Sequence, residues 1–347
     1  MMNGTSLFLG ESQEDIASER DARLRHFLGR HGRGCMAYST LQPGLEYFIH
    51  DALGYLAYLP LHHPLFAPGR LHVVIGDPIA APADYEALLD AYLAAPGAAA
   101  TVFLEIGAAF ADILARRGLP VNEMGIEWEI DLPAFDSDLR GPAFAHLRRW
   151  RNKARKEGVE VAEGRITDLD ADELIALSRQ WLQRKGGHEF IGLNRPLLLE
   201  NEPDARYFWA TREGRLLSLA IFDPLYRDGQ VIGYLHNLSR TLAEAPHGTN
   251  DLIVLEAIRR FQAEGREVLS LGLSPFAEVE NGPYPHRAYL TGLFRFMFRH
   301  CPFIYPFQGN YFHKDKYRGR SFKVYLASVP ALNLYRVLGV FKALKVF

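Results

Sequence analysis

His236-Asn237-Leu238-Ser239-Arg240 leads through a short connection to Pro246-His247-Gly248-Thr249-Asn250-Asp251 and then into an apolar-periodic run. Val231 to Asn237 has the β-branched and aromatic content of a strand, and Asp251 to Glu264 has helical spacing with Gly265 behind it. A strand therefore ends in polar groups, crosses a turn and feeds a helix N-terminus, the place where an α/β layer receives an anionic substrate. A second segment, Phe307-Gln308-Gly309 followed by His313-Lys314-Asp315-Lys316-Tyr317-Arg318, brings cations from far along the chain. Together the two segments predict chemistry on a phosphorylated molecule.

Working outward, the same succession of elements is predicted twice. In the first half Cys35 to Thr40, Glu46 to His50 with Tyr55 to Leu59, and Leu71 to Gly76 have strand composition. A helix from Ala83 to Ala94, a buried strand from Thr101 to Ile106, a helix from Ala108 to Arg117 and a strand from Gly125 to Asp131 follow. In the second half the helix Leu174 to Arg184 precedes a hairpin, Tyr207 to Thr211 with Leu216 to Phe222, turned at Glu213-Gly214. The strand and helix quoted above come next, then strand Val268 to Leu273 and helix Leu290 to His300. Three strands, helix, strand, helix, strand is the order of an acetyltransferase-like (GNAT) fold. The expected architecture is α/β with mixed sheets, a tandem of two GNAT-like domains. The expected limits are 1–140, a basic linker helix at 141–160, a catalytic domain at 161–328 and an amphipathic segment at 329–347.

Composition narrows the class of function. The 347 residues are 48% hydrophobic and 23% charged, with a formal net charge of −2, so the chain is a packed protein without global attraction to polyanions. Cys35 and Cys301 are too few for a disulfide framework, and no spacing of Cys and His suggests a metal site. Met1 to Gly10 lacks the charge and apolar run of a secretory signal, and no run reaches the roughly 18 to 20 apolar residues of a spanning helix. A cytoplasmic protein is expected.

Two segments offer surfaces. In His146 to Gly158, helical spacing puts Arg148, Arg151 and Arg155 on one face and Arg149, Lys153 and Lys156 on the next. Such a density of cations suits RNA or lipid headgroups, where the plainer alternative is a solvated linker helix. Near the C-terminus, Leu334, Val337, Leu338, Phe341 and Leu344 form one helical stripe with Arg336, Lys342 and Lys345 off it. The stripe suits a peripheral membrane contact or, equally, packing on the domain.

Leu41-Gln42-Pro43-Gly44, Gly76-Asp77-Pro78, Arg148 to Gly158, Gly248-Thr249-Asn250-Asp251, Leu271-Gly272-Leu273-Ser274-Pro275 and Phe307-Gln308-Gly309 with Lys314 and Lys316 occur in a telling order. Over Gly32 to Ala327 the chain resembles the C-terminal catalytic domain of the lysyl- and alanyl-phosphatidylglycerol synthases, the multiple peptide resistance factor family. The resemblance implies transfer of an aminoacyl group from aminoacyl-tRNA to a hydroxyl of phosphatidylglycerol, with no cofactor beyond the tRNA co-substrate, at the inner face of the membrane. Family members usually carry a membrane-embedded flippase domain ahead of this part. No such segment is read here, so translocation of product is not expected. One departure stands out. Where the family has Asp-Leu-Met-Arg at the strand end, this chain has Asn237-Leu238-Ser239-Arg240, and an amide neither acts as a base nor strongly attracts an ammonium group. A different acyl donor, such as an acyl thioester, or a different acceptor then competes with the family reading, as does a non-enzymatic membrane-associated module.

Acyl transfer from ester to alcohol is nearly thermoneutral and needs positioning and charge stabilisation above all. Arg240 with Lys314 and Lys316 suit phosphate oxygens or an oxyanion, and Asn237 stands at the same strand end. Gly248, Thr249, Asn250 and Asp251 would offer helix-start amides, with a helix cap as the plainer role. Glu189 could hold a donor amino group or accept a proton, and His236 and His247 flank the turn where a neutral imidazole would suit base work. Without a Gly-x-Ser-x-Gly elbow or a paired Cys and His, direct transfer is predicted. The absent glycine-spaced pyrophosphate loop argues against acetyl-CoA.

Overall fold

Two runs of the same order share one sheet, and each lends its last strand to the other. The computed structural model describes residues 13–63, 67–96, 100–184 and 195–344. After helix α1 (Gln13–His31), strands β1 (Glu46–His50), β2 (Gly54–His63) and β3 (Ala67–Ile75) form an antiparallel meander, with the two-residue β4 (Ile79–Ala80) against β2. Helix α2 (Tyr85–Ala94) crosses to β5 (Ala100–Ile106), parallel to β3, and α3 (Ala108–Arg116) leads to β6 (Val121–Asp131). Then come α4 (Ala145–Lys156), β7 (Glu160–Gly164) and α5 (Ala171–Arg184). The meander β8 (Arg206–Arg212), β9 (Arg215–Arg227) and β10 (Gln230–Thr241) follows, and α6 (Thr249–Ala263) crosses to β11 (Val268–Pro275), parallel to β10. Helices α7 (Ala288–His300) and α8 (Phe307–Asp315), strand β12 (Arg320–Val329) and α9 (Leu334–Ala343) complete the chain.

The sheet order is β1-β2-β3-β5-β12-β6-β11-β10-β9-β8-β7. β12, last strand of the second run, pairs antiparallel with β5 of the first, and β6, last strand of the first, pairs antiparallel with β11 of the second. The two borrowed strands also pair with each other. Hydrogen bonding therefore runs unbroken between the halves. Period-two alternation explains the layers: Val73, Val102, Leu104 and Leu326 face one hydrophobic cluster, while Val74, Phe103, Tyr325 and Ala327 face another. Helices α2 and α3 cover the second face and α7 and α9 the first.

Several expectations are corrected. Cys35 to Thr40 is not a strand: the segment turns tightly and closes in a 3-10 helix, Tyr38–Leu41, whose buried tyrosine and Cys35 explain its strand-like composition. Strand β12, helix α1 and the helical form of α8 were not foreseen. The C-terminal stripe is turned inward. Val337, Phe341 and Leu344 are buried against the cluster around Phe276, leaving Leu334 and Tyr335 outside. Lys345 lies outside the described residues. Among the described residues no helix is long and apolar enough to cross a membrane.

Phe276 holds three helices at once, stacking on Phe294 of α7 at 4.7 Å and meeting Phe307 of α8 at 5.2 Å and Phe341 of α9 at 6.0 Å between ring centroids. Phe276→Ala is expected to cost about 3–5 kcal/mol, the usual range for removing a buried phenylalanine. Urea unfolding followed by tryptophan fluorescence measures it, and a loss below about 1 kcal/mol would show that the helices dock independently.

Candidate functional site

The site begins where two parallel strands stop pairing. β10 and β11 are in register only from Gly233–Leu235 against Val268–Ser270, while β10 continues to Thr241 and β11 to Pro275. Each strand carries a bulge just past that point. Asn237 is extra between His236 and Leu238 relative to β9, and Leu271 is extra between Ser270 and Gly272 relative to β6. On the other half Glu105 is extra between Leu104 and Ile106 relative to β12, with a left-handed φ of 59°. Bulges bend a strand and re-aim its side chains, and backbone strain in a non-glycine residue marks a position held for a purpose.

These bends open a cavity of about 580 Å³. His236, Asn237, Arg240, Asn250 and Lys314 line it from the second half, and Cys35, Met36 and Glu105 from the first. Ile304, Tyr305, Phe307, Phe341 and Leu344 make another part of its wall apolar. Polar and apolar lining in one cavity suits a molecule with a charged head and a hydrocarbon body.

Arg240 is buried, with its guanidinium 4.0 Å from the Trp181 ring centroid, so α5 fixes the cation from behind. Lys314 reaches from α8 to donate to the Leu273 carbonyl at 2.5 Å, beside Gly272 with its left-handed φ of 71°. Burial lowers the Lys314 ammonium to about 8, against the pull of Cys35, Glu105 and Glu127. Across from it, the Cys35 thiol lies 3.4 Å from a Glu105 oxygen, and donor atoms of Cys35, Glu105 and Glu127 fall within 4.8 Å of one another. Burial raises Glu105 to about 7 and pushes Glu127 and Cys35 well above their ordinary values. That donor set has the spacing to hold a metal ion, but the Lys314 charge already acts on all three groups. His236 stacks on Phe222 and keeps a buried Nε2 with no hydrogen-bond partner; burial, then His313 and Lys314, lowers it to about 3 and leaves it neutral.

Asn237 does not stand alone. Its Nδ2 donates to Asp223 of β9 at 2.7 Å, and the other Asp223 oxygen accepts from Arg195 at 2.7 Å. Arg195 also pairs with Glu202 and lies over the Tyr38 ring. The carboxylate missing from position 237 sits on the next strand, neutralised from within.

The remaining expected residues fall elsewhere. Lys316 is tied to Asp251 at 2.5 Å and to His313 Nδ1 at 3.0 Å, and Tyr317 shares the same Asp251 oxygen, so this lysine and Asp251 fasten α8 to α6 outside the cavity. Thr249 gives its hydroxyl and its amide to the Pro246 carbonyl. Gly248 is pressed on the Trp150 backbone at a φ of 92°, where a Cβ would come within 2.3 Å of the Trp150 oxygen. His247 packs on the Trp150 ring. Of the helix start only Asn250, bonded by Ser239, reaches the cavity. Glu189 lies outside the described residues.

Helix α4 docks through Leu147 and Ala154 and leaves its cations outward. Arg148 is occupied by the Leu139 and Gly141 carbonyls, Arg149 and Lys153 flank the Trp150 ring, and Lys153 meets Glu157 at 3.7 Å. Lys156 is exposed at the end of α4. Arg151 is lowered, by burial first and then by Arg155, Arg259 and Arg148, a like-charge group that an approaching polyanion would relieve. Cys35, Glu105 and Glu127 were missed by sequence reasoning. The one legible signal was an acid inside the apolar strand Thr101-Val102-Phe103-Leu104-Glu105-Ile106.

The family pattern described as phosphatidylglycerol lysyltransferase, C-terminal, matches residues 26–328. The phosphatidylglycerol lysyltransferase of Bacillus subtilis is 26% identical over 263 residues, 74% of this chain and 30% of that protein, so the chain spans about a third of its relative's length. The structure of L-PGS from Bacillus licheniformis superposes with a TM-score of 0.73 at 21% identity, covering 94% of this chain and 95% of that one. A C-terminal domain ascribed to a lysylphosphatidylglycerol synthetase of Agrobacterium fabrum gives 0.72 at 20%, covering 94% and 96%. The solved structures share the fold.

Asn237→Asp would set a second carboxylate against Asp223, already raised to about 6 by burial. Paired carboxylates have folded-state values above their unfolded ones, so their contribution is present at low pH and lost as pH rises through the raised values. The variant is expected to lose about 1–3 kcal/mol relative to the parent near neutral pH and clearly less near about pH 4. Urea unfolding at both values reads this, and a deficit independent of pH would break the assignment.

Proposed function

Because the chain belongs to the phosphatidylglycerol lysyltransferase C-terminal family, we propose that it moves an aminoacyl group from aminoacyl-tRNA to a hydroxyl of phosphatidylglycerol or a related anionic phospholipid at the inner face of the membrane. The observation that carries this reading is a single cavity with Arg240 and Lys314 in one part of its wall and Phe307, Phe341 and Leu344 in another. A phosphate-bearing head fits the first part and hydrocarbon the second.

In the proposed step the lipid hydroxyl attacks the ester carbonyl carbon, and its oxygen–carbon bond forms as the bond to the tRNA ribose oxygen breaks. Arg240 and Lys314 stabilise the oxyanion between the two events. Glu105, aimed into the cavity by its bulge, takes the hydroxyl proton and returns it to the departing ribose oxygen, so no acyl-enzyme forms. The α4 surface around Arg151 and Arg155, adjoining the α6 start through Trp150 and Gly248, receives the nucleic acid. Asp223 is balanced by Arg195, so a cationic donor side chain finds no unbalanced carboxylate beside Asn237.

Purified protein with a pool of aminoacyl-tRNAs and phosphatidylglycerol vesicles is expected to yield aminoacylated lipid by mass spectrometry, with the yield abolished by ribonuclease. Unchanged lipid, or activity indifferent to ribonuclease, would overturn the reading. Arg240→Ala and Lys314→Met are each expected to lower turnover by about 10²–10³-fold.

The pH profile supplies a separate test. Glu105, raised to about 7, gains its basic form as pH rises through that value, whereas Lys314, lowered to about 8, loses its charge above its own. A bell with limbs near those values is expected, belonging to the coupled group. Glu105→Gln should remove the acid limb; a parent profile flat across this range would exclude both roles.

A further inference from the structure

Of the nine large hydrophobic side chains that are exposed among the described residues, seven fall between Tyr289 and Tyr335. Four belong to α7, the turn after it and α8: Tyr289 is 50% exposed, Phe296 56%, Phe303 82% and Phe312 63%. The sequence of α7 explains the arrangement. Leu290, Phe294 and Met297 make the inward stripe on the Phe276 cluster. Tyr289, Phe296 and His300, seven and four residues apart, lie exposed beside it, with the half-buried Leu293 between them packed on the same inner cluster. Helix α7 thus carries, next to the face it buries, aromatic side chains that stay exposed.

Chain order and three contacts gather Phe296, Phe303 and Phe312 at one corner. Phe296 packs its ring on His300 at 5.0 Å, and Phe303 follows in the turn directly after α7. Gln308, one turn before Phe312 on α8, donates to the Phe298 and Arg299 carbonyls at 3.3 and 3.4 Å, which sets Phe312 beside the α7 C-terminus. The corner is cationic. No Asp or Glu occurs from Ala288 to Lys314, whereas Arg295, Arg299 and His300 do, and the acids at its border are Glu278, bonded by Tyr311, and Asp315, paired with Arg318. The residues next to Phe303 in the chain, Ile304 to Phe307, are the apolar wall of the cavity.

We infer that this corner, the C-terminal turns of α7 with Phe303 and Phe312, is the surface on which the protein docks to an anionic bilayer. Exposed aromatic rings with neighbouring arginines are the composition that settles at headgroup depth, and each cation near such a surface adds attraction that salt removes. A protein partner of ordinary surface would not require the exclusion of acids. The wall formed by Ile304 to Phe307 then opens toward the hydrocarbon, so an acceptor lipid need not leave the bilayer fully. The inference deepens the proposed function and rests on its reading of the acceptor as a membrane lipid. It moves membrane contact away from the α9 stripe, whose Val337, Phe341 and Leu344 already lie inside the protein.

Co-flotation of the full chain with vesicles of phosphatidylcholine, alone or mixed with phosphatidylglycerol, tests it without any chemistry. The parent should float with the mixed vesicles and be released by salt. The exposed-face variants Phe296→Ser with Phe303→Ser, and separately Arg299→Glu, should each weaken binding by at least about tenfold. Both should retain transfer to a short-chain, water-soluble phosphatidylglycerol. A parent that ignores the mixed vesicles, variants that float like it, or a parent dimer that the serine pair splits in sedimentation would each overturn the inference. If vesicles are bound through this corner but no aminoacyl transfer occurs, the docking surface stands and the proposed reaction falls.

Discussion

The parting of β10 from β11 is the constraint on which the site depends. Parallel strands linked by a crossover helix can hydrogen-bond along their whole length, and here they do so for three residue pairs only. Beyond Leu235 and Ser270, β10 follows β9 and β11 follows β6, each with an extra residue that increases its twist. Two strands held by different neighbours and bulged at the same level must diverge, and the wedge between them is filled neither by side chains nor by backbone. Arg240 stands on the diverging part of β10, and the Leu273 carbonyl that fixes Lys314 stands on that of β11. The reciprocal loan of β6 and β12 is what carries this wedge to the first half, because it seats Glu105 and Cys35 on the opposite wall.

Charge inside such a wedge must nearly cancel, since each uncompensated buried ion costs several kcal/mol. Lys314 faces Glu105 and Glu127, and burial raises both carboxyls while it lowers the ammonium, so each group is drawn toward its neutral form. Arg240 is met by the face of Trp181, whose ring attracts the guanidinium and holds it in place. Asp223 is closed off by Arg195 and Asn237. An aspartate at 237 would require a proton or another cation in that layer, and the amide avoids both. The amide at position 237 thus suits the buried Asp223 that it bonds on β9.

Much of the fold was legible because its signals are local. The strand, turn and helix around His236 to Asp251, the hairpin at Glu213-Gly214 and the repeated order of elements all follow from period and turn chemistry. The exchange of β6 and β12 was not, because strand order is decided by pairing energies between distant segments that leave no mark on either one. The same holds for Asp223 beneath Asn237. Lys314 and Lys316 show a subtler failure. Read as a loop, both could face one phosphate, yet α8 runs through Asp315 and residues two apart on a helix point about 200° away from each other. Once the segment is helical, only one of the pair can reach the cavity, and the other must find a partner elsewhere, as Lys316 does in Asp251.

The same reasoning from helix geometry separates the two amphipathic candidates near the C-terminus. A stripe of apolar residues in a sequence states that a face must be covered, not by what. In α9 Val337, Phe341 and Leu344 are satisfied by Phe276 and its cluster, so a bilayer would have to compete with that burial. In α7 one stripe is satisfied in the same cluster, while Tyr289 and Phe296 beside it stay exposed, and Phe303 follows at the edge of the apolar wall. A cavity that takes up the head of a lipid while its tails remain in the membrane needs its apolar wall at the membrane side and its cations away from it. Phe276 joins α7, α8 and α9 into one support for that wall, and Lys314, eight residues beyond Pro306 on the far end of α8, reaches past it to the polar part of the cavity.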